Sequence, residues 1–555
     1  MKNKSIWLIA TIFIIGIILR LLFIDKTSGL SYDELVSYKQ ASQTNILSTI
    51  FYTLKTDVHM PLYQIVLHLW AKIFSLSDLS LRAFSAFCGI LTIIVSFYTG
   101  KELAQDKNTG ILCATLFSIN SFLIYYSQEV RMYSLLILLA SITILIIAKI
   151  KNNPNNRWNY VALVITSFAL IHTYTIAFIY VVGLLLTIFI YQHLHKQSIK
   201  NLRNAIFTLI ILCIPVSLFL FVNSEKYTNQ INGYYCDWSS LFIILQDTFT
   251  PVLDGIANNP IHYMHTLFTT FTLSKFIFIL IPIAAAIYGI FIALRKDKFS
   301  YFIIAPATLF LIAEIVAFKF TNFKILPRYA AISMPAFIII AAYGFSFILN
   351  TKKKINLIIP TLFIGLNLIY LVLSPNAAYK IPRLGFRPLA NLINQSELNQ
   401  ADFILVWNRK EILDKYLDKK VNIISTLKDF AYKSEVMLAN EKEFNSMPIE
   451  KRKEVLKPYF HENKIPYNTL FLMNYIITNM HSGQKFIITT TENFNNFDKE
   501  SFKYLVENSE QYKNTSLNDL LTIKSLTDIK EICNNNLKYI GTKTSGEYVI
   551  TIYSK

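Results

Sequence analysis

Runs of about 17 to 25 apolar residues recur along the first two thirds of the chain, and each is long enough to cross a hydrocarbon core as a helix. A chain inside lipid must satisfy its own backbone polar groups, and uninterrupted runs of this length select helices over a closed barrel. The expected spans are 6–24, 81–99, 110–126, 133–150, 159–173, 176–192, 204–223, 276–294, 300–318, 330–349 and 355–373, eleven in all. The composition agrees, with 555 residues, 53% hydrophobic, 16% charged and a mean hydropathy of +0.41, too apolar for an ordinary soluble protein. The first run is read as a retained helix, because it exceeds a signal-peptide core and no small-x-small cleavage site follows it.

The short loops then set the orientation. Lys2, Lys4, Lys101, Lys107, Lys149, Lys151, Arg157, Lys196, Lys200, Arg203, Arg295, Lys296, Lys298 and the triplet Lys352, Lys353, Lys354 all fall on one face, and the positive-inside rule makes that face cytoplasmic. An odd number of spans exports everything after Ser374. The net charge of +18 is then largely a topology signal. Spread over six loops, it forms no continuous patch, so nucleic-acid binding is not indicated. Of the acids in the apolar part, Glu102, Asp106 and Asp297 are expected on the cytoplasmic side and Glu314 within a helix. The others gather on the outer side. Because acids influence orientation little, an outward-facing polar site is one cause that would put them there.

Two outer loops, 25–80 and 224–275, are long, and within the first Pro61 to Phe74 fits an interfacial helix with Tyr63 and Trp70 at headgroup depth. Residues 1–375 are thus expected to form a membrane domain. Residues 376–555 turn polar and mixed in pattern, with strands expected at 401–408, 485–491 and 548–554 and a helix from Arg409 to Leu417. They form a soluble α/β or α+β domain of ordinary size. Cys88, Cys113 and Cys213 sit in expected helices, where a thiol packs as a small hydrophobe. Cys236 and Cys533 are external, and a disulfide between them has no spacing signature to support it.

Four polar clusters meet on the outer face. The first is Tyr32, Asp33 and Glu34, with Arg20 near the end of the first helix. The second is Asp57-Val58-His59-Met60-Pro61-Leu62-Tyr63. The third is YSQEVRMY, residues 126–133. The fourth is LPRYA, residues 326–330, with His172 and Tyr174 between two further helices. Each alone reads more readily as a set of headgroup anchors. Against that, Asp33 and Glu34 have no basic residue beside them in sequence, and Glu129 and Arg131 interrupt an apolar hairpin where charge is costly unless it serves a site.

Taken in order, the acidic pair after the first helix, the D-x-H-x-P-L-Y element, the Y-S-Q-E-x-R-M-Y turn and the R-Y pair before a late helix resemble the bacterial branch of the GT-C type polytopic glycosyltransferases. That group includes the protein O-mannosyltransferases and the lipid A aminoarabinose transferases. The resemblance covers roughly residues 1–350. It implies an α-helical polytopic membrane protein of GT-C type, carrying the C-terminal soluble domain, in the bacterial cytoplasmic membrane with its N-terminus inside. It also implies transfer of a sugar from a polyprenyl-phosphate donor at the outer leaflet to a lipid, glycan or protein acceptor. By the resemblance Asp33 is the catalytic base, since a carboxylate in a partly apolar site can take a proton from an acceptor hydroxyl or amine. Glu34 tunes it or binds acceptor. Arg131 and Arg328, with Tyr329, would hold the donor phosphate through guanidinium forks. Glu129, Tyr63, Tyr133, His172 and Tyr174 would contact substrate. Asp57 and His59, with His172 as a third group, would hold the divalent cation that some relatives bind. The element departs from the usual Pro-Pro here, with Met60-Pro61 in its place.

Two other classes of function compete with this reading. A transporter or flippase of lipid-linked sugars would place polar groups at the midplane and often uses broken helices or repeats, whereas here they crowd the outer ends. A non-catalytic lipid-binding subunit could share the fold, because fold alone does not assign activity.

Overall fold

A computed structural model describes residues 2–25, 29–222, 239–251, 273–321, 327–350, 357–374, 377–380, 385–396, 402–405, 415–418, 422–424, 467–491, 517–545 and 548–555. The chain divides into two compact units, Met1–Lys26 with Asp33–Pro382, and Thr27–Tyr32 with Arg383–Lys555.

The first unit is helical throughout. Helix α1 (Lys2–Leu21) is followed by three helices in the first long loop, α2 (Tyr32–Ala41), α3 (Ile46–Thr56) and α4 (Leu62–Ile73). Then come α5 (Asp78–Ala104), α6 (Lys107–Ile119), the short α7 (Ser121–Tyr126), α8 (Tyr133–Asn152), α9 (Arg157–Thr173), α10 (Ala177–Leu194) and α11 (Lys200–Val222). The second half carries α12 (Ser239–Phe249), α13 (Leu273–Lys296), α14 (Phe299–Thr321), a 3-10 turn (Pro327–Ile332), α15 (Met334–Leu349) and α16 (Ile358–Leu373). Among the described residues, α5, α8, α10, Ile277–Lys296 of α13 and Phe299–Val316 of α14 are long and apolar enough to cross a membrane. Ile6–Leu21, Met334–Leu349 and Ile358–Leu373 are apolar but shorter.

Local chemistry explains where the helices differ from the expected spans. The run 110–126 is not one helix. It breaks at Asn120, whose Oδ1 accepts from Leu123 N–H at 2.9 Å and so caps α7, the favoured role of Asn at a helix start. The carbonyls left over at the end of α6 are met by Arg20, fully buried, which donates from Nη2 to Phe117 O at 2.8 Å and from Nη1 to Ser118 O at 3.3 Å and Gly16 O at 3.1 Å. Gly89 of α5 leaves room for this junction, since a Cβ there would collide with Ser127 Oγ and stand 2.9 Å from Arg20 Nε. The interfacial reading of Pro61 to Phe74 is corrected in part. A helix forms there, but Tyr63 is 1% exposed and packs on Phe84 with ring centroids 6.1 Å apart, while Ile73 and Phe74 stand out. Trp70 turns inward and donates its indole N–H to Ser80 O at 2.9 Å.

The second unit is a mixed five-stranded sheet between helices. The strands are β1 (Phe403–Leu405), β2 (Asn422–Ile424), β3 (Lys485–Thr491), β4 (Lys538–Ser545) and β5 (Tyr548–Ser554), in the order β2-β1-β3-β5-β4. β1 runs parallel to β2 and β3, and β5 is antiparallel to β3 and β4. Alternation along the strands fills both faces, as a pleated ribbon requires. Phe403, Leu405, Phe486 and Ile488 meet Met473 and Ile476 of α18 (Tyr467–Asn479) and Leu526 and Ile529 of α19 (Leu517–Asn536). Ile404, Ile487, Ile550 and Ile552 meet Leu389, Leu392 and Ile393 of α17 (Arg387–Asn394). Cys533 lies in the first of these cores as a buried free thiol. Cys236 and most of the helix expected at 409–417 fall outside the described residues.

Thr27–Tyr32 joins this unit through its backbone. Leu30 is fully buried, its N–H donates to Tyr416 Oη at 2.7 Å, and its carbonyl accepts from Phe386 N–H at 3.3 Å. Gly29 has φ +74 and a Cβ there would lie 2.9 Å from Arg387 Cβ, so both conformation and space require glycine.

Candidate active site

The acidic pair opens α2, and its two members part company at once. Glu34 turns into the helix bundle. Its carboxylate is fully buried and gripped by Arg82 of α5, with Nε to Oε1 at 3.1 Å and Nη2 to Oε2 at 3.0 Å. Oε1 also accepts from Val130 N–H at 3.0 Å. A bidentate fork with a third donor is the arrangement under which a buried ion pair holds together. The two acids that have no basic residue beside them in sequence thus each gain an arginine from a distant part of the chain.

Asp33 faces the other way. Its Oδ2 accepts from Arg328 Nη1 at 3.0 Å, and the two side chains are 33% and 31% exposed. Oδ1 takes no hydrogen bond among the described residues. Arg131 approaches from the 126–133 turn and donates from Nη1 to the Asp33 carbonyl and to Ser37 Oγ, both at 3.4 Å. Nε of Arg131 and Nε of Arg328 are buried without a partner among the described residues. Burial works against the charge of both guanidiniums, but Asp33 and Tyr133 more than offset it and hold both above the usual arginine range. They therefore stay cationic.

The turn that carries Arg131 is fixed from two sides. Ser85 of α5 donates to the Glu129 carbonyl and Gln128 Nε2 donates to Leu22 O at 2.8 Å, tying the hairpin to α5 and to the end of α1. Arg328 comes from the 3-10 turn between α14 and α15 and lies over the Tyr329 ring at 5.7 Å. Tyr133, first residue of α8, is buried edge-on to Tyr126 at 5.0 Å.

The second element closes the other side. Asp57 Oδ2 accepts from Gln40 Nε2 at 3.0 Å, and Oδ1 accepts from the backbone N–H of Val58 at 2.7 Å and of His59 at 3.1 Å. Burial pushes the Asp57 carboxyl up, but His59, Arg131 and these donors outweigh it and leave it below the usual carboxylate value. His59 packs on Tyr174 with ring centroids 5.0 Å apart, and its Nδ1 is buried without a partner among the described residues. His172 is turned back on its own helix, with Nδ1 bonded to Phe168 O at 2.9 Å and its ring stacked on Phe168 at 3.8 Å. Among the described residues no group of three or more His, Cys, Asp or Glu side chains gathers that could hold a metal. Asp57 already spends both oxygens on protein donors, so this donor set does not fit a metal cage and no step is derived through one.

The structure thus brings Asp33, Arg131, Arg328, Asp57, His59, Tyr133, Tyr174 and Tyr329 to one end of the helical unit. Glu34 and His172 are turned to partners of their own, Arg82 and Phe168, and Tyr63 packs on Phe84. Arg82 was not foreseen, although an arginine in an apolar run is costly for the same reason as Arg131 in its apolar hairpin.

Residues 60–228 match the family model of dolichyl-phosphate-mannose-protein mannosyltransferases. The match includes the 126–133 turn and Tyr174 but neither Asp33 nor Arg328. Among solved structures, ArnT from Cupriavidus metallidurans in the apo state is similar with a TM-score of 0.53 at 12% identity, covering 99% of this chain and 98% of that one. The Archaeoglobus fulgidus oligosaccharyltransferase tethered to an acceptor peptide containing the NVT sequon is similar with a TM-score of 0.51 at 11% identity, covering 94% of this chain and 72% of that one. No curated protein matches the sequence. At such identities the structural likeness speaks for the fold, and it bears out the resemblance read from the motifs: the chain is a polytopic membrane protein with the fold of the GT-C type glycosyltransferases, and residues 60–228 within it are similar to the mannosyltransferase model.

Proposed function

We propose that the protein transfers a sugar from a polyprenyl-phosphate carrier to a lipid, glycan or protein acceptor, with Asp33 as general base and Arg131 and Arg328 as the cations of the leaving phosphate. One observation carries the reading: two arginines from separate elements converge on Asp33, Arg328 on its partly exposed carboxylate and Arg131 on its backbone carbonyl. A phosphate leaving group develops charge as its bond to the anomeric carbon breaks, and fixed guanidiniums lower the cost of that charge. The acceptor hydroxyl or amine attacks the anomeric carbon and passes its proton to Asp33. Oδ1 is the oxygen in position to receive it, because Oδ2 is held by Arg328. Tyr133, Tyr174 and Tyr329 wall the site, and Glu129 is the further candidate for substrate contact. The matched family is named for a dolichyl-phosphate-mannose donor, which supports a lipid-phosphate donor here.

The same reading places the chain in a bacterial cytoplasmic membrane with the site and residues 376–555 outside. Purified protein incubated with polyprenyl-phosphate-linked sugars should release the polyprenyl phosphate when an acceptor is present. Asp33→Asn keeps size and much of the hydrogen bonding while removing basicity, so it should abolish release and leave folding intact. A folded Asp33→Asn variant working at the wild-type rate would remove Asp33 as base.

A further inference from the structure

Glu314 lies in α14, a helix apolar enough to span a membrane, and is 2% exposed. Both of its carboxylate oxygens are buried without a hydrogen-bond partner among the described residues. Two other acids of this unit show the usual provision: the fully buried Glu34 has Arg82 and Val130 N–H, and the partly buried Asp297 has Lys151 at 2.9 Å and Tyr343 at 3.0 Å. Burying a carboxyl with nothing to bond it is costly, and such a group inside a membrane helix marks a site by default.

Its place in the fold says which site. α10 and α14 pack together, with Tyr180 edge-on to Phe310 at 6.4 Å and a Cβ at Gly183 lying 3.4 Å from Pro306 Cα. The pairing advances on α14 as it retreats on α10, so the next turn sets Glu314 beside the start of α10. Tyr174 stands just before that start, and Glu314, Tyr133, Tyr329 and Arg328 are its electrostatic neighbours. Tyr174 in turn packs on His59, and Thr175 Oγ1 donates to Val58 O at 3.3 Å. The unpartnered carboxyl therefore lies beside Tyr174, in the wall of the arginine site.

We infer that Glu314 is a sugar-binding residue, its carboxyl accepting hydroxyl groups of the sugar carried by the lipid phosphate. The inference rests on the function proposed above. A sugar joined directly to a phosphate at Arg328 extends about one ring from it, and Tyr174 has both Arg328 and Glu314 as neighbours. Hydrogen bonds to a carboxylate of this kind correspond to roughly 10- to 100-fold in affinity.

The test compares Glu314→Leu and Glu314→Gln with wild type in two measurements. The first is binding of polyprenyl phosphate alone and of polyprenyl-phosphate mannose. Glu314→Leu should weaken the mannose lipid roughly 10- to 100-fold and leave the bare lipid unchanged, with Glu314→Gln between. The second is thermal unfolding, where Glu314→Leu should melt at or above the wild-type temperature, because it replaces an unpartnered buried polar group by an apolar one. Equal weakening of both lipids, wild-type binding of the mannose lipid, or a clear fall in melting temperature would each overturn the assignment. A wild type that binds neither lipid overturns the proposed function and this ligand with it. That result differs from failure at Glu314 alone, in which wild type and Glu314→Leu bind both lipids equally.

Discussion

Arg82 and Glu34 meet in a fully buried two-bond fork, 3.1 and 3.0 Å long, immediately beside an acid that is one-third exposed and held by a single bond. Adjacent residues on one helix thus have opposite fates. The first braces α2 against α5 and the second faces the arginine site.

Removing either half of the brace leaves an uncompensated buried charge, so Arg82→Ala and Glu34→Ala should each destabilise the fold by about 3–5 kcal/mol. Thermal unfolding of the purified variants reads this directly. A Glu34→Ala variant that melts like wild type yet transfers no sugar would return Glu34 to the chemistry.

Arg131→Ala and Arg328→Ala should each lower turnover of lipid-linked sugar by about 10² to 10³, the usual effect of deleting a donor to a developing oxyanion. Lysine at either position should rescue only in part, because a point charge lacks the planar fork. Rates at the wild-type level in both alanine variants would make these residues simple anchors.

His59 gives a pH signature. Burial and then Arg131 hold its imidazole below the ordinary value of 6.5, with Asp57 pulling the other way. A group with a depressed folded pKa binds fewer protons folded than unfolded, so its contribution is present above the unfolded value and is lost as pH falls below it. Melting temperature should drop from about pH 6.5 downward, and His59→Gln should flatten that drop. Asp57, also depressed, acts only below the carboxylate range and leaves this window alone. Identical slopes for the two proteins would dissociate His59 from the effect.

Orientation is tested by a reporter fused after Ser374. Activity only outside the cytoplasm is expected from the lysine and arginine loops. Cytoplasmic activity at that position would overturn the external site.

Much of this was legible in the chain because lipid leaves few options. Apolar length gave α5, α8, α10, α13 and α14 almost directly, and the strand ranges around 403–405, 485–491 and 548–554 followed from alternation. Arg131 was readable as an interruption of that apolar background, and Asp33 and Arg328 through the order of the polar motifs. What stayed hidden depends on distant pairing. Nothing local tells Glu34 from Asp33, since the difference is made by Arg82, a residue 48 positions away. The break at Asn120 was missed because six apolar or small residues on either side outvote one capping amide. His172 was placed at the site by its position near a helix end, whereas its ring is turned back on Phe168 of its own helix.

The backbone bonds of Leu30 to Tyr416 and Phe386 also bear on how this sequence can be recombined. The tail domain is encoded in two pieces, and the smaller, Thr27–Tyr32, directly precedes Asp33. A hybrid made by a single crossover near Pro382 would inherit its Leu30 from one parent and its Tyr416 from the other. Exchanges between relatives that respect this interlacing must move both pieces together, so substitutions around Gly29 and Leu30 should track those around Arg387 and Tyr416 more closely than they track the rest of the first loop.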